Sequence, residues 1–343
     1  MYELKNLALS LCLQNKNRYK YVKGFVDFTS SFTAMPEKTY RSSLLRSSEL
    51  ANIDVISFEK DLQKRNVKFT TIFDSSYPPL LKECEDAPLV IFYVGNNELL
   101  LHTDLISIVG TRTMTAQGKS IIEELVPNLK TSVVVSGMAF GVDAYSHNIA
   151  IENNINTIAV LPDSCDKPTP IGNINTYRRI LDSGNLIISD HPPGKKSHPG
   201  LYPKRNRIIA GLSTKTIVIE AGLKSGALIT ADIAFSYNRE VFAFPGGAGQ
   251  YTFKGCNYLI KNNIAQLIEN SDDFLGILSN GGIDQKLTGV ERNIYYAILR
   301  EPKTLSELSE LLDLRISELG AICTKLQING ILNTDNQNKF YVS

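Results

Sequence analysis

The chain has 343 residues, 43% of them hydrophobic and 21% charged, an ordinary globular balance with room for two or three domains. Its formal net charge of +1 excludes a polycation that holds nucleic acid by bulk charge, so any such affinity has to come from local clustering. Five scattered cysteines without a C-x-x-C pair, and four histidines without ligand spacing, argue against a zinc site or a disulfide scaffold and for a reducing compartment.

The N-terminal stretch carries Glu3 and only a short apolar patch, so no secretory signal is expected. No run approaches the roughly 18 apolar residues that span a bilayer, and a cytoplasmic protein without a membrane partner is expected. Residues 1–70 read as a small helical domain, with candidate helices at Leu7–Leu13, Ser43–Leu50 and Ser57–Arg65. A turn cluster rich in Ser and Pro fills residues 74–79.

A strand at Leu89–Val94 follows, and from Leu105 onward the pattern alternates strands and helices. Predicted strands are Leu89–Val94, Ile106–Val109, Val133–Val135, Thr157–Leu161, Leu186–Ser189, Thr216–Ile219 and Val241–Phe244, with an edge strand at Ala265–Ile268. Predicted helices are Ala116–Leu129, Val142–Glu152, Arg205–Leu212 and Leu228–Tyr237. Short β-branched runs separated by amphipathic helices indicate an open, doubly wound α/β sheet over residues 71–278. Residues 279–289 form a linker of low hydrophobicity. Residues 290–343 hold helices at Val290–Leu299, Leu305–Leu311 and Arg315–Ile328, then a hairpin turning at Asp335 and Asn336, the pattern of a winged-helix-like domain.

Loops at the carboxyl ends of parallel strands gather at one sheet edge, where glycines, hydroxyls, cations and helix N-termini together make an anion site. Gly110, Thr111 and Arg112 follow one strand, and Ser136 and Gly137 follow the next. Ser225 and Gly226 lie in the loop before a later helix. Lys204, Arg205, Asn206 and Arg207 begin another, within a stretch from Lys195 to Arg207 that holds five Lys or Arg and no acid. A guanidinium can fork onto a phosphate, and Phe140 and Phe253 are the aromatic candidates for stacking on bases. Asp143 reads as a helix cap and His147 as a packed helix residue. Gly118, Lys119 and Ser120 only mimic the end of a P-loop, because Thr113 stands where its first glycine is needed. No G-x-G-x-x-G follows a strand, and no serine elbow has a matching His and Asp.

Taken in order, IVGTR, VSGMAFGVDAYSH, YPKRNRIIAGLS, IEAGLKSGALITADIAFSYNREVFAFPG and GCNYLI resemble the DNA-processing protein A (DprA/Smf) family. The resemblance extends upstream to Tyr77 and downstream to the tail, and it departs after Leu161 at PDSCDKPTPIGNINTYRRIL, residues 162–181. It implies an extended Rossmann-like core that binds single-stranded DNA without base specificity, with contacts at Gly110, Thr111 and Arg112 and at Lys204 to Arg207. The Ser136–Gly137 and Ser225–Gly226 loops would border that pocket. The resemblance further implies loading of the RecA recombinase with displacement of single-strand-binding protein, a role in natural transformation, and no catalysis or cofactor. A homodimer around Asn257 to Leu278 is expected on the same ground, with Leu259, Ile260, Ile264 and Leu267 as apolar candidates. The alternative is a nucleotide-binding enzyme of the phosphoribohydrolase, lysine-decarboxylase-like type, because Pro245–Gly249 imitates its Pro-Gly-Gly-x-Gly motif. Gln250, Thr252 and Phe253 then stand where that motif needs its Thr and catalytic Glu.

Overall fold

The computed structural model describes residues 55–194, 198–280 and 287–342, apart from 288, 301, 313, 336 and 337. The predicted helices Leu7–Leu13 and Ser43–Leu50, with most of the expected N-terminal domain, lie outside the described residues, as do Lys195, Lys196 and Asn336. Two compact units divide between Ser271 and Asp272.

The first unit is built on one nine-stranded sheet: β1 (Lys68–Thr71), β2 (Val90–Gly95), β3 (Leu105–Val109), β4 (Val133–Ser136), β5 (Thr157–Val160), β6 (Leu186–Ser189), β7 (Lys215–Val218), β8 (Glu240–Ala243) and β9 (Gln266–Leu267). Their spatial order is β1-β2-β6-β5-β4-β3-β7-β8-β9. Seven strands from β6 to β9 run parallel, and β1 and β2 add an antiparallel margin. Every residue of β3, β4, β5 and β6 is buried, which is why these strands read as continuous apolar runs rather than alternating ones. The edge strand β1, Lys-Phe-Thr-Thr, is too short and too polar to announce itself in the sequence; its register opposite β2 places it in the sheet.

Helices α1 (Val55–Lys64), α2 (Pro79–Lys82), α3 (Ala116–Leu125), α4 (Val142–Glu152), α5 (Ile174–Asp182), α6 (Leu201–Leu212), α7 (Gly226–Ser236) and α8 (Lys254–Lys261) connect the strands. Helix α6 begins four residues before the predicted Arg205. Pro203 lies in that first helical turn, where a proline costs little because the N–H it lacks has no intrahelical acceptor. Helix α3 starts where Thr115 caps the amide of Gly118 at 3.3 Å.

The second unit holds α9 (Ser271–Asn280) from its second residue on, then α10 (Gly289–Arg300), α11 (Leu305–Leu312), α12 (Ile316–Ile328) and the antiparallel pair β10 (Leu332–Thr334) and β11 (Phe340–Val342). Its core is Ile294, Tyr295, Ile298, Leu308, Leu319, Cys323, Leu326 and Leu332. A reciprocal capping box starts α11: Thr304 Oγ1 accepts the Glu307 amide at 3.3 Å, and the Glu307 carboxylate accepts the Thr304 amide at 2.7 Å. Those bonds lower the Glu307 pKa. No helix among the described residues is long and apolar enough to cross a membrane.

Candidate functional site

Strand order in the sheet reverses between β3 and β7. Chain travel moves from β3 outward to β4, β5 and β6, then returns to place β7 on the other side of β3. Loops leaving β3 and β7 therefore diverge, and a crevice opens beyond their carboxyl ends. A cleft of about 770 Å³ lies there, lined by Gly110, Thr111 and Arg112 after β3, by Gly222, Lys224, Ser225 and Gly226 after β7, and by Tyr202, Arg205 and Asn206 of α6. Asp143 and Tyr251 complete part of the wall.

The loop after β3 is held from beneath. The amide of Thr111 donates to the Glu220 carbonyl at 2.7 Å, and the buried Glu220 carboxylate accepts from both the amide and the hydroxyl of Thr115 at 3.0 Å. Gly141 has a φ of +76°, and a Cβ there would strike the Thr111 carbonyl, so glycine alone lets the loops after β3 and β4 touch. The contact is closed by the Val142 amide on the Thr111 carbonyl at 3.1 Å. Met138 sits at a φ of +55°, strained for a side chain of its size, and its carbonyl accepts the Asn173 amide group at 2.8 Å. The segment that departs from the family pattern thus supports the loop through Asn173.

Arg205 is 4% exposed. Its guanidinium donates to the carbonyls of Gly137, at 2.6 Å, and Val160, tying together the ends of β4 and β5. Gly137 is required for this approach, since a Cβ would overlap the guanidinium. Burial pushes the Asp143 carboxyl up, and the Arg205 charge pulls it back; burial likewise lowers Arg205, and Asp143 opposes that. Both side chains line the floor of the cleft. Asn206 donates to the Gly226 carbonyl at 3.3 Å, and Ser225 caps α7 by accepting the Ala227 amide at 3.3 Å.

Seven of the eleven residues singled out from the sequence line the cleft: Gly110, Thr111, Arg112, Arg205, Asn206, Ser225 and Gly226. Ser136 and Gly137 are buried behind it, Ser136 donating to the Ile108 carbonyl at 2.7 Å. Lys204 is exposed on α6 outside the lining. Arg207, expected at the phosphate, has its guanidinium paired with Asp190 at 2.7 Å and donating to the Asp86 carbonyl, with 13% of the side chain exposed. Phe253 is fully buried, whereas Phe140 is 48% exposed. Leu259, expected as dimer surface, is also core, while Leu267 and Tyr258 are exposed. Tyr202, Lys224 and Tyr251 were not singled out. Tyr202 had a signal in lying two residues before Lys204, and Lys224 in lying inside the loop that ends at Gly226. The guanidinium of Arg112 sits 5.2 Å from the Tyr202 ring centre, a cation–π contact that aims the arginine. Neither Arg112 nor Lys224 has an ion-pair partner among the described residues.

The fold is an open, largely parallel α/β sheet with a cleft over its strand-order reversal, where Arg112 and Lys224 have no ion-pair partner among the described residues. The chain belongs to the DNA recombination-mediator protein A family, whose model matches residues 68–279. It is 37% identical over 255 residues to protein Smf of Synechocystis sp., covering 71% of this chain and 64% of that protein, so it spans just under two thirds of that relative. It is 36% identical over 224 residues to DNA processing protein DprA of Streptococcus pneumoniae, covering 65% and 78%. The X-ray structure of DprA from Streptococcus pneumoniae matches with a TM-score of 0.69 at 30% identity, covering 79% of this chain and 96% of that one. A structure of DNA processing protein A from Helicobacter pylori, described for its single-stranded DNA binding mode, matches with a TM-score of 0.56 at 28% identity, covering 63% and 98%.

Proposed function

We propose that the protein is a non-catalytic binder of single-stranded DNA that loads a RecA-type recombinase onto the strand, displacing single-strand-binding protein, in recombination and natural transformation. The observation that carries this reading is that Arg112 and Lys224, without an ion-pair partner among the described residues, line one cleft from the two loops that diverge at the strand-order reversal. They stand beside a fixed Gly110–Thr111 backbone, a geometry that tracks phosphates without reading bases. Lys204 adds a third exposed cation, while Ser136, Gly137, Arg205, Asn206 and Arg207 shape and brace the site. The family supports the recombination role, and the Helicobacter pylori relative supports the choice of a single strand. The phosphoribohydrolase alternative is not favoured, because Gln250, Thr252 and Phe253 supply no carboxylate after Pro245–Gly249.

The same reading takes the residues before β1 as a small helical domain, β1 to Ser271 as the DNA-binding core and 290–343 as a winged-helix-like domain, in a cytoplasmic homodimer. Exposed Tyr258 and Leu267 are its apolar candidates for the dimer contact. Recombinase filament assembly on strands coated with single-strand-binding protein tests the loading role. Adding this protein should shorten the lag. An unchanged lag at saturating protein would refute loading while leaving strand binding to be judged by direct titration.

A further inference from the structure

We propose that Tyr251 is a base-stacking platform at the mouth of the cleft, so that the strand is gripped by a nucleobase as well as by its phosphates. This rests on the single-strand reading above and adds a contact to it. Tyr251 follows the small-residue loop that leaves β8, and that loop is held in place. The Asn257 side chain receives the Gly246 amide at 3.0 Å and donates back to the Gly246 carbonyl at 2.9 Å. Gln250 accepts the Gly247 amide at 2.6 Å and donates to Gln117 at 2.9 Å. Two residues on, Phe253 is buried completely and anchors the turn. The Gly255 amide then pins it to the Ala221 carbonyl at 2.7 Å.

Between these anchors the Tyr251 ring is 63% exposed, beside Gly222 and lining the same cleft as Lys224. The Lys254 ammonium lies 5.6 Å from its centre. A large aromatic ring on a braced loop, exposed and flanked by two cations, has no packing role that explains its position. Any base has a π-face that such a ring can accept without sequence preference, and a base already stacked and paired in duplex is not available to it. The positive charge at Lys224 and Lys254 would hold the neighbouring phosphates.

Fluorescence anisotropy with an oligo-dT strand and an abasic strand of equal length tests this. Tyr251→Ala should weaken oligo-dT binding roughly tenfold and leave the abasic strand unchanged, while Tyr251→Phe matches the wild type on both. The chain contains no Trp, so Tyr251→Trp supplies a single reporter whose emission oligo-dT should quench and the abasic strand should not. Tyr251→Ala binding oligo-dT as tightly as the wild type, or losing equally on both strands, would overturn stacking. A wild-type protein that binds neither strand would overturn the single-strand reading itself, a result visible before any variant is compared.

Discussion

Three neighbouring cations on α6 have three fates. Successive helical residues turn by about 100°, so Lys204 faces solvent, Arg205 runs beneath Gly137 and Arg207 turns to Asp190. Their clustering was legible in the sequence; their separate directions were not, because the partners Val160, Asp86 and Asp190 come from elsewhere in the chain. Two substitutions separate binding from bracing. Arg112→Ala should lower single-strand affinity by about 1.5–3 kcal/mol, the range for a lost charged contact, with an unchanged melting curve. Arg207→Ala should instead leave the carboxylate of Asp190, only 6% exposed, without this partner. Breaking a buried pair costs about 3–5 kcal/mol, and Arg207 belongs at the lower end because it keeps some water. Denaturant unfolding of Arg207→Ala should therefore shift strongly while the salt dependence of strand binding stays that of the wild type. An unshifted midpoint would remove Arg207 from the scaffold.

At the level of elements, long apolar-periodic segments could be read directly. Helix α4 and strand β6 lie where the sequence puts them, at Val142–Glu152 and Leu186–Ser189. What escaped was β1, defined by its pairing, the first turn of α6, and helices α5 and α8, which no predicted element covers. Helix α4 also carries a titration. Burial, aided by the Arg205 charge, holds the His147 imidazole neutral with its pKa lowered to about 3, and its Nδ1 lies 2.6 Å from the Thr157 hydroxyl. Above pH 6.5 neither folded nor unfolded chain binds this proton. As pH falls from there toward 3, only the unfolded chain takes it up, so stability falls by about 1.4 kcal/mol per pH unit from this group. Urea titrations between pH 6.5 and 5 should show that slope in the wild type and lose it in His147→Gln; equal slopes would contradict the assignment. In the second unit, Lys325 is the lone Lys or Arg within α12, and it is held by Glu291 at 2.6 Å. Lys325→Ala should therefore leave affinity for duplex DNA unaltered in an electrophoretic shift assay, because a helix with so little positive charge neutralises few phosphates. A clear loss of duplex affinity would give that helix a DNA-binding role.

Across the whole molecule, net charge is nearly zero, yet cations gather where the strand order turns. The alternation of strands and helices made the sheet readable. The position of the reversal, which aligns Arg112 with Lys224, depends on β7 inserting beside β3 and is fixed only by tertiary pairing. Binding should accordingly be strong in salt dependence and weak in base preference. With Arg112, Lys204 and Lys224 each meeting a phosphate, the log–log salt slope for a single strand should be roughly −2 per chain. A titration of single-stranded against duplex oligonucleotide of equal length, repeated over a salt series, tests this most directly. The account predicts that slope for the single strand and much weaker binding of duplex. Equal competition by duplex, or a single-strand affinity indifferent to salt, would contradict it.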